Sequence, residues 1–137
     1  MIPYENFGGT GPLLHFLHAN GYPPLAYRLL LEQLSPKYSI LAMRLRPLWL
    51  ESDPGELQDL LPLANDLENF IEQQGIDKAN PPNLIGVGHS IGATITLRLA
   101  LRRPDLFGAL VLIDPVFFPP WMIIFLSTIK RLGLVYK

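Results

Sequence analysis

The chain has no cysteine, and this absence excludes two kinds of site. Disulfide bonds and thiolate metal centres both need thiols, so neither can form. The remaining residue patterns imply no metal ion and no organic cofactor, and we expect none. The first eleven residues also lack the basic and apolar regions of a signal peptide. A reducing, cytoplasmic setting is therefore the expected one.

Charged residues are scarce as well, at 17% of the chain against roughly 25% in an average soluble protein. Their signs nearly cancel to a net charge of −1, which argues against a nucleic-acid partner. Hydrophobic residues make up 49% of the chain, enough for a sizeable core. This balance leaves apolar surface uncovered, so we expect the isolated chain to self-associate.

Apolar runs long enough to cross a membrane are also missing. The run of residues 121–129 falls short of the about 20 residues that a span needs. Two prolines, Pro119 and Pro120, interrupt the apolar sequence just before it. No membrane span is therefore expected, and a helix that covers an apolar surface is the better interpretation.

Short apolar runs alternate with amphipathic segments along the 137 residues, a length that fits one domain. The predicted strands cover residues 13–18, 39–45, 84–87 and 109–113, the predicted helices cover residues 25–34, 60–72 and 90–102, and residues 1–12 are expected to be irregular. The strands are continuous apolar runs, which is typical of a parallel sheet buried on both faces. The sequence thus predicts an α/β three-layer sandwich, with a mainly parallel sheet flanked by helices.

One motif in this pattern carries chemical meaning. The sequence Gly88-His89-Ser90-Ile91-Gly92 fits the G-x-S-x-G pattern of a nucleophile elbow, between a predicted strand and a predicted helix. Ser90 would stand on a sharp turn, and Gly88 and Gly92 leave room for that turn to close. The Ile91 N–H would lie at the helix N-terminus, where unpaired amides favour negative charge. The alternative is a structural serine in an ordinary turn.

Three segments together make the whole chain resemble the N-terminal half of an α/β-hydrolase: His18-Ala19-Asn20-Gly21-Tyr22-Pro23, the elbow at residues 88–92, and Leu112-Ile113-Asp114-Pro115. The resemblance implies a partial hydrolase fold, with residues 1–115 in the core and residues 116–137 starting an apolar cap or lid. The family's first two strands have little room before Leu13. Family members continue with more sheet and a late loop that bears the catalytic histidine. We therefore expect the chain to be a fragment with little activity alone.

The resemblance also implies roles at the reacting carbonyl. Ser90 would attack the carbonyl carbon, and negative charge would develop on its oxygen. The N–H groups of Ile91 and Tyr22 would stabilise that oxygen, with Gly21 as the alternative donor. Here Asn20-Gly21-Tyr22-Pro23 replaces the family's more usual His-Gly-x-Pro, and an ordinary turn is the competing interpretation.

The base that would take the Ser90 proton is not evident among the three histidines of the chain. His89 directly precedes Ser90, and the elbow is expected to turn the two side chains apart, which makes His89 a poor base. His15 lies inside a predicted strand and is expected to be a core residue with a satisfied hydrogen bond. His18 lies at the functional edge of the sheet, where it is expected to line the pocket and is a weak candidate for the base. The base is expected beyond Lys137.

The acid that would orient the base is assigned to Asp114, at the end of the fourth predicted strand. Relatives that resemble haloalkane dehalogenases carry their acid at this point, whereas most family members carry it one strand later. A turn residue before Pro115 is the alternative. The expected substrate pocket contains His18, Asn20, His89, Phe117 and Trp121. Other aromatic residues, Tyr22, Trp49 and Phe118, fit either a pocket wall or plain core packing.

The resulting expectation is a serine hydrolase that cleaves an ester or similar acyl bond of an apolar small molecule through an acyl-enzyme on Ser90. Fold does not fix function, so lyase, haloperoxidase or acyltransferase chemistry on the same fold is one alternative. A non-catalytic binding module or remnant is the other. Covalent labelling of Ser90 distinguishes an activated serine from an inert one.

Overall fold

A computed structural model of the protein describes residues 1–50, 59–76 and 83–117. The strands are β1 (Tyr4–Gly8), β2 (Leu13–Leu17), β3 (Ser39–Met43), β4 (Leu84–His89) and β5 (Phe107–Ile113). The helices are α1 (Arg28–Leu34), α2 (Leu61–Gln73) and α3 (Ile91–Arg102), with short 3-10 turns at Pro24–Tyr27 and Arg46–Leu48. Each of the strands and helices predicted within these ranges is present, with bounds shifted by a few residues. The apolar helix predicted around residues 121–129 lies outside the described residues.

The five strands form one sheet in the order β1-β3-β2-β4-β5. The pairs β2–β3, β2–β4 and β4–β5 are parallel, and only the β1–β3 pair is antiparallel. Each parallel connection passes through a helix, as parallel pairing requires. The predicted α/β architecture with a mainly parallel sheet is therefore confirmed.

The expectation that residues 1–12 are irregular is wrong, because β1 occupies Tyr4–Gly8. This strand has no apolar run of its own, and it is held by its partner: Tyr4 pairs with Met43 in the antiparallel ladder. An ion pair between Arg44 and Glu5 reinforces the pairing. The short segment before Leu13 therefore has room for one strand. Edge strands of this kind depend on cross-strand contacts that local sequence patterns do not show.

Helices cover both faces of the sheet. On one face α1 packs on the strands through a cluster of buried residues: Leu14, Phe16, Leu31, Ile40, Ala42 and Val87. On the other face α2 and α3 contribute to a larger cluster, which includes Leu17, Met43, Leu67, Phe70, Ile71, Leu84, Ile95 and Leu99. Alternate residues of a strand point to opposite faces, so β2 supplies side chains to both clusters. This is the expected three-layer arrangement.

The strand β5 lies at the open side of the described sheet. Several of its apolar side chains are exposed, with Leu110 at 36%, Val111 at 48% and Ile113 at 40% of their accessible surface. The expected self-association through uncovered apolar surface stays a prediction. Over residues 1–50, 59–76 and 83–117, no helix combines the length and the apolar character needed to cross a membrane.

The carboxyl ends of β2, β4 and β5 meet at one edge of the sheet, where parallel α/β folds place their sites. The loop after β2, the turn between β4 and α3, and the chain leaving β5 all start there. The predicted division into a core at residues 1–115 and a cap at residues 116–137 stays a prediction, because residues 118–137 lie outside the described part of the chain.

Candidate active site

Ser90 occupies a backbone conformation that residues other than glycine rarely adopt. Its φ is 55° and its ψ is −119°, at the turn that joins β4 to α3. Conformations of this kind cost on the order of 1–3 kcal/mol and persist only where the surrounding structure enforces them. One such restraint is the hydrogen bond that the Ser90 N–H donates to the carbonyl of Ile113, at 2.9 Å.

Crowding around the two glycines of the motif supplies further restraints. A Cβ atom at Gly88 would lie 2.5 Å from the Cα of Ala93, across the turn. A Cβ atom at Gly92 would lie 2.3 Å from the carbonyl oxygen of Leu17, at the end of β2. Gly88 thus lets the turn close on itself, as the motif predicts. Gly92 has a different role, because it lets α3 approach the backbone of the neighbouring strand.

The helix α3 begins directly after the serine. Ile91 is its first residue, so the Ile91 N–H has no partner within the helix. The Thr94 N–H donates to the Ser90 carbonyl at 3.2 Å, which closes the first turn. A free amide at a helix N-terminus suits an anionic oxygen, which is the role expected for Ile91.

The loop after β2 contains the other expected oxyanion donors. The Tyr22 N–H already donates to the carbonyl of Ala19, at 3.2 Å. Tyr22 could therefore serve an oxyanion only by exchanging this bond for one to the substrate. Gly21 has a φ of 74°, and its surroundings are open. Tyr22 is 62% exposed and Asn20 is exposed too, so the loop lies at the surface.

His18 is fully buried, and both of its ring nitrogens are engaged. Nδ1 donates to the carbonyl of Ala19 at 2.7 Å, and Nε2 accepts the Leu45 N–H at 2.9 Å. Burial lowers the pKa of His18, and this neutral form matches the two bonds. The side chain holds the loop after β2 against the chain that leaves β3. Because both ring nitrogens already form hydrogen bonds, the geometry of His18 fits a structural residue rather than a base.

His15 is buried in β2, but it lacks the hydrogen bond that we expected. Neither ring nitrogen has a hydrogen-bond partner within the described part of the chain. The ring packs against Phe70 of α2, with centroids 5.4 Å apart. Burial, with a smaller contribution from the nearby His18, lowers its pKa to about 3. His15 is therefore a neutral core residue at physiological pH.

His89 makes a contact that the sequence did not reveal. Its Nδ1 lies 2.8 Å from the hydroxyl oxygen of Tyr27, and the two rings meet edge to face with centroids 5.8 Å apart. The same hydroxyl accepts the Ala19 N–H at 3.2 Å. Tyr27 falls within the predicted helix at residues 25–34, and no local pattern marks its hydroxyl as a bridge to a residue 62 positions away.

Asp114 lies where the resemblance places an acid, in the turn that follows β5. It is exposed, and its φ of 47° is again unusual for a residue other than glycine. The chain on either side is anchored to the elbow. Before Asp114, Ile113 accepts the Ser90 N–H; after it, Val116 exchanges two hydrogen bonds with the Thr94 hydroxyl, at 2.7 and 3.1 Å.

The remaining pocket residues are placed only in part. Phe117 is 62% exposed at the end of the described chain. The predicted pocket residue Trp121, and with it Phe118, lies outside the described residues. Trp49 is half-buried, and its indole N–H donates to the Arg44 carbonyl at 2.7 Å. In the described ranges, no three His, Asp or Glu side chains are grouped so that they could hold a metal ion.

Comparison with known proteins bears on the family and the fold. The model of the alpha/beta hydrolase family matches residues 16–136. Strigolactone esterase D14 of Arabidopsis thaliana is 32% identical over 112 residues, which cover 77% of this chain and 39% of that protein. Ethanol acetyltransferase 1 of Kluyveromyces lactis is 38% identical over 70 residues, or 50% of this chain and 18% of that protein.

Among solved structures, E-2-(acetamidomethylene)succinate hydrolase matches with a TM-score of 0.70 and 27% identity, covering 85% of this chain and 41% of that one. The chain thus spans about two fifths or less of the length of these relatives. The family match extends over most of the sequence, and the mainly parallel five-stranded sheet with flanking helices agrees with it. The chain belongs to the alpha/beta hydrolase family.

Proposed function

We propose that the protein is a serine hydrolase that cleaves an ester or similar acyl bond of an apolar small molecule, with Ser90 as the nucleophile. The observation that carries this proposal is the backbone of Ser90, with φ at 55° between β4 and α3. A structural turn could use glycine there without strain. Strain at a hydroxyl-bearing residue, next to a helix N-terminus and at the functional edge of the sheet, favours a catalytic role.

The reaction would run in two steps. The Ser90 oxygen attacks the carbonyl carbon, its proton passes to a base, and the leaving group departs with a proton to give an acyl-enzyme. Water then cleaves the acyl-enzyme and restores the hydroxyl. The Ile91 N–H is the first oxyanion donor, and Gly21 or Tyr22 would supply the second. Loss of one such donor typically costs about 2.7–4 kcal/mol in acyl transfer.

The base is the role that none of the three histidines fills in this geometry. His15 is buried in the core. Both ring nitrogens of His18 form hydrogen bonds, and Nδ1 of His89 contacts the hydroxyl of Tyr27. We propose that the base comes from outside the described residues. Asp114 would orient it, since its turn is anchored beside the elbow through Ile113 and Val116.

The names of two relatives, an esterase and a hydrolase of an acetamidomethylene compound, support hydrolysis of an ester or related acyl bond. An apolar substrate fits the exposed aromatic side chains of Tyr22 and Phe117, which follow β2 and β5 at the same edge of the sheet. Asn20 and His89 stay proposed pocket residues.

Transfer of the acyl group to an alcohol is a second candidate. The match to ethanol acetyltransferase 1 favours it, because the same acyl-enzyme would serve both reactions. Product analysis in water containing ethanol distinguishes the two. Free acid as the main product supports hydrolysis, and an ethyl ester as the main product supports transfer.

Covalent labelling with a fluorophosphonate probe tests the proposal, with Ser90→Ala and Ser35→Ala as paired variants. The isolated chain should label slowly and turn over p-nitrophenyl esters poorly, because it lacks a base. Added imidazole should accelerate labelling by at least about tenfold. A base held in position typically accelerates such a step by about 10²–10⁴-fold. We expect a smaller acceleration from free imidazole, since it is not held in place. Labelling should vanish in Ser90→Ala and persist in Ser35→Ala. A chain that never labels at Ser90, with or without imidazole, is a binding module or remnant.

A further inference from the structure

The hydroxyl of Tyr27 lies between the two segments that the proposed reaction needs. On one side it accepts the N–H of Ala19, in the loop that carries Gly21 and Tyr22. On the other side it contacts Nδ1 of His89, the residue directly before Ser90. The distances are 3.2 and 2.8 Å, both within hydrogen-bond range. One side chain thus connects the oxyanion loop with the nucleophile elbow.

The Tyr27 hydroxyl can accept one hydrogen bond and donate another, which matches its two neighbours. The Ala19 N–H uses one acceptor site of the hydroxyl, and the hydroxyl has a single proton to give. That proton pairs naturally with Nδ1 of His89, which then accepts and leaves the ring proton on Nε2. Both bonds are satisfied in this arrangement, in which Tyr27 would set the tautomer of His89.

The ring of Tyr27 is held independently of its hydroxyl. It packs against Phe16 of β2 with centroids 4.7 Å apart and belongs to the apolar cluster beneath α1. Tyr27 also ends the 3-10 turn that precedes α1, so its backbone belongs to regular structure. The core therefore fixes the position of the Tyr27 ring, and the hydroxyl on that ring has a defined position at the edge of the sheet.

We propose that Tyr27 is a positioning residue that fixes the oxyanion loop relative to Ser90. This inference rests on the proposed function. Ala19 lies two residues before Gly21, and His89 lies one residue before Ser90, so a shift of either segment stretches one of the two bonds. The restraint through His18 joins the loop to Leu45 after β3 and not to the elbow. A misplacement of about 1 Å can reduce a catalysed rate by about 10²-fold.

The variant Tyr27→Phe tests this role in the full 137-residue chain, because it keeps the ring and removes the hydroxyl. Tyr38→Phe is the matched control, since Tyr38 packs against the same apolar cluster. Three quantities are measured: the rate of fluorophosphonate labelling at Ser90 in the presence of imidazole, the ¹⁵N chemical shifts of the His89 ring, and the thermal unfolding midpoint.

We expect Tyr27→Phe to slow labelling by about tenfold, within the range for small misplacements, and Tyr38→Phe to leave the rate unchanged. In the unsubstituted chain, Nδ1 of His89 should have the shift of an accepting nitrogen, and this shift should change in Tyr27→Phe alone. A purely structural role would lower the unfolding midpoint without moving the His89 resonance. That pattern would overturn the proposal.

The outcomes separate this inference from the proposed function. Equal labelling rates in Tyr27→Phe and Tyr38→Phe overturn the positioning role while the nucleophile stands. No labelling at Ser90 in the unsubstituted chain overturns the proposed function and the positioning role together. A protonated Nδ1 in the unsubstituted chain, which needs no variant to fold, overturns the hydrogen-bond arrangement itself.

Discussion

The elbow at residues 88–92 and the loop at residues 19–23 meet at one edge of the sheet, but they are held in different ways. In the elbow, backbone atoms crowd against backbone atoms, and a single added carbon at Gly88 or Gly92 has no room. In the loop, a Cβ added at Gly21 meets nothing within 4 Å. The loop is held instead by two side chains, that of His18 directly before it and that of Tyr27 at the start of α1.

This difference has a physical consequence for the site. Close packing of backbone is nearly incompressible, so Ser90, the proposed nucleophile, has a fixed position. Single hydrogen bonds of about 0.5–1.5 kcal/mol each are weaker restraints, so the loop can adjust when a substrate arrives. The Tyr22 N–H, which is engaged with Ala19, is one donor that such an adjustment would release. The rigid half of the site presents the hydroxyl, and the adjustable half would complete the oxyanion hole.

The largest predicted effect is on the unfolding free energy, and it tests the elbow at residues 88–92, the rigid half of the site. Gly92→Ala would place a Cβ 2.3 Å from the Leu17 carbonyl oxygen and 2.6 Å from that of His18. Both obstacles belong to the backbone of β2, so α3 must move away from the sheet. We expect a loss of about 3 kcal/mol of unfolding free energy, at the upper end of the range for overpacking. Urea unfolding followed by circular dichroism measures it.

Gly21→Ala is the matched control in the adjustable half. Its φ of 74° makes alanine unfavourable, but there is space for the methyl group. We expect a loss of about 1–2 kcal/mol, the cost of a left-handed conformation for an ordinary residue. If Gly21→Ala proved as costly as Gly92→Ala, the contrast between the two segments would be lost.

The same difference explains what the sequence could predict. The elbow is a local pattern, because its strand, its two glycines and its helix follow one another, and so Ser90 and the parallel strands could be placed from the sequence. The strand β1 could not be, because pairing with β3 and not an apolar run holds it in place. The bridge from Tyr27 to His89 joins residues far apart in sequence, and no spacing rule encodes it.

The histidines of β2 show the same limit. An apolar run correctly predicted that His15 is buried, but whether a buried polar atom finds a partner depends on all surrounding elements. The ring nitrogens of His15 find none among the described residues. For His18, the position at the strand end indicated a pocket residue, whereas its bond to Leu45 depends on how the chain leaves β3.

The next largest predicted effect is a loss of folding stability in acid. It comes mainly from His15 in β2, the strand that leads into the loop at residues 19–23. The pKa of His15 falls from 6.5 in the unfolded chain to about 3 in the fold. Between these values the unfolded state binds the proton and the folded state does not, so stability is complete above about pH 6.5 and is lost as the pH falls toward 3. From pH 7 to pH 5 we expect a loss of about 2 kcal/mol, measured by urea unfolding at each pH.

His18 adds to this effect in the same direction, because burial lowers its pKa too. Protonation of Nε2 would break the hydrogen bond from the Leu45 N–H. As the pH falls, the loop at residues 19–23 should therefore loosen earlier than the elbow does. In His15→Leu the orphaned nitrogens are gone, so the variant should be more stable at pH 5 and show a flatter pH profile. A profile as steep as that of the unsubstituted chain would show that other groups cause the acid sensitivity.

The smallest predicted effect concerns a side-chain anchor between α3 and the chain that leaves β5. The Thr94 hydroxyl donates to the Val116 carbonyl at 2.7 Å and accepts the Val116 N–H at 3.1 Å, which ties the chain beyond Asp114 to α3. Thr94→Val keeps the shape and removes both bonds, and we expect a loss of about 1 kcal/mol with faster hydrogen exchange at the Val116 amide. Thr94→Ser keeps the hydroxyl and should retain most of that stability. If Thr94→Val kept its stability while Thr94→Ser lost it, packing of the methyl group and not the hydroxyl would hold the segment.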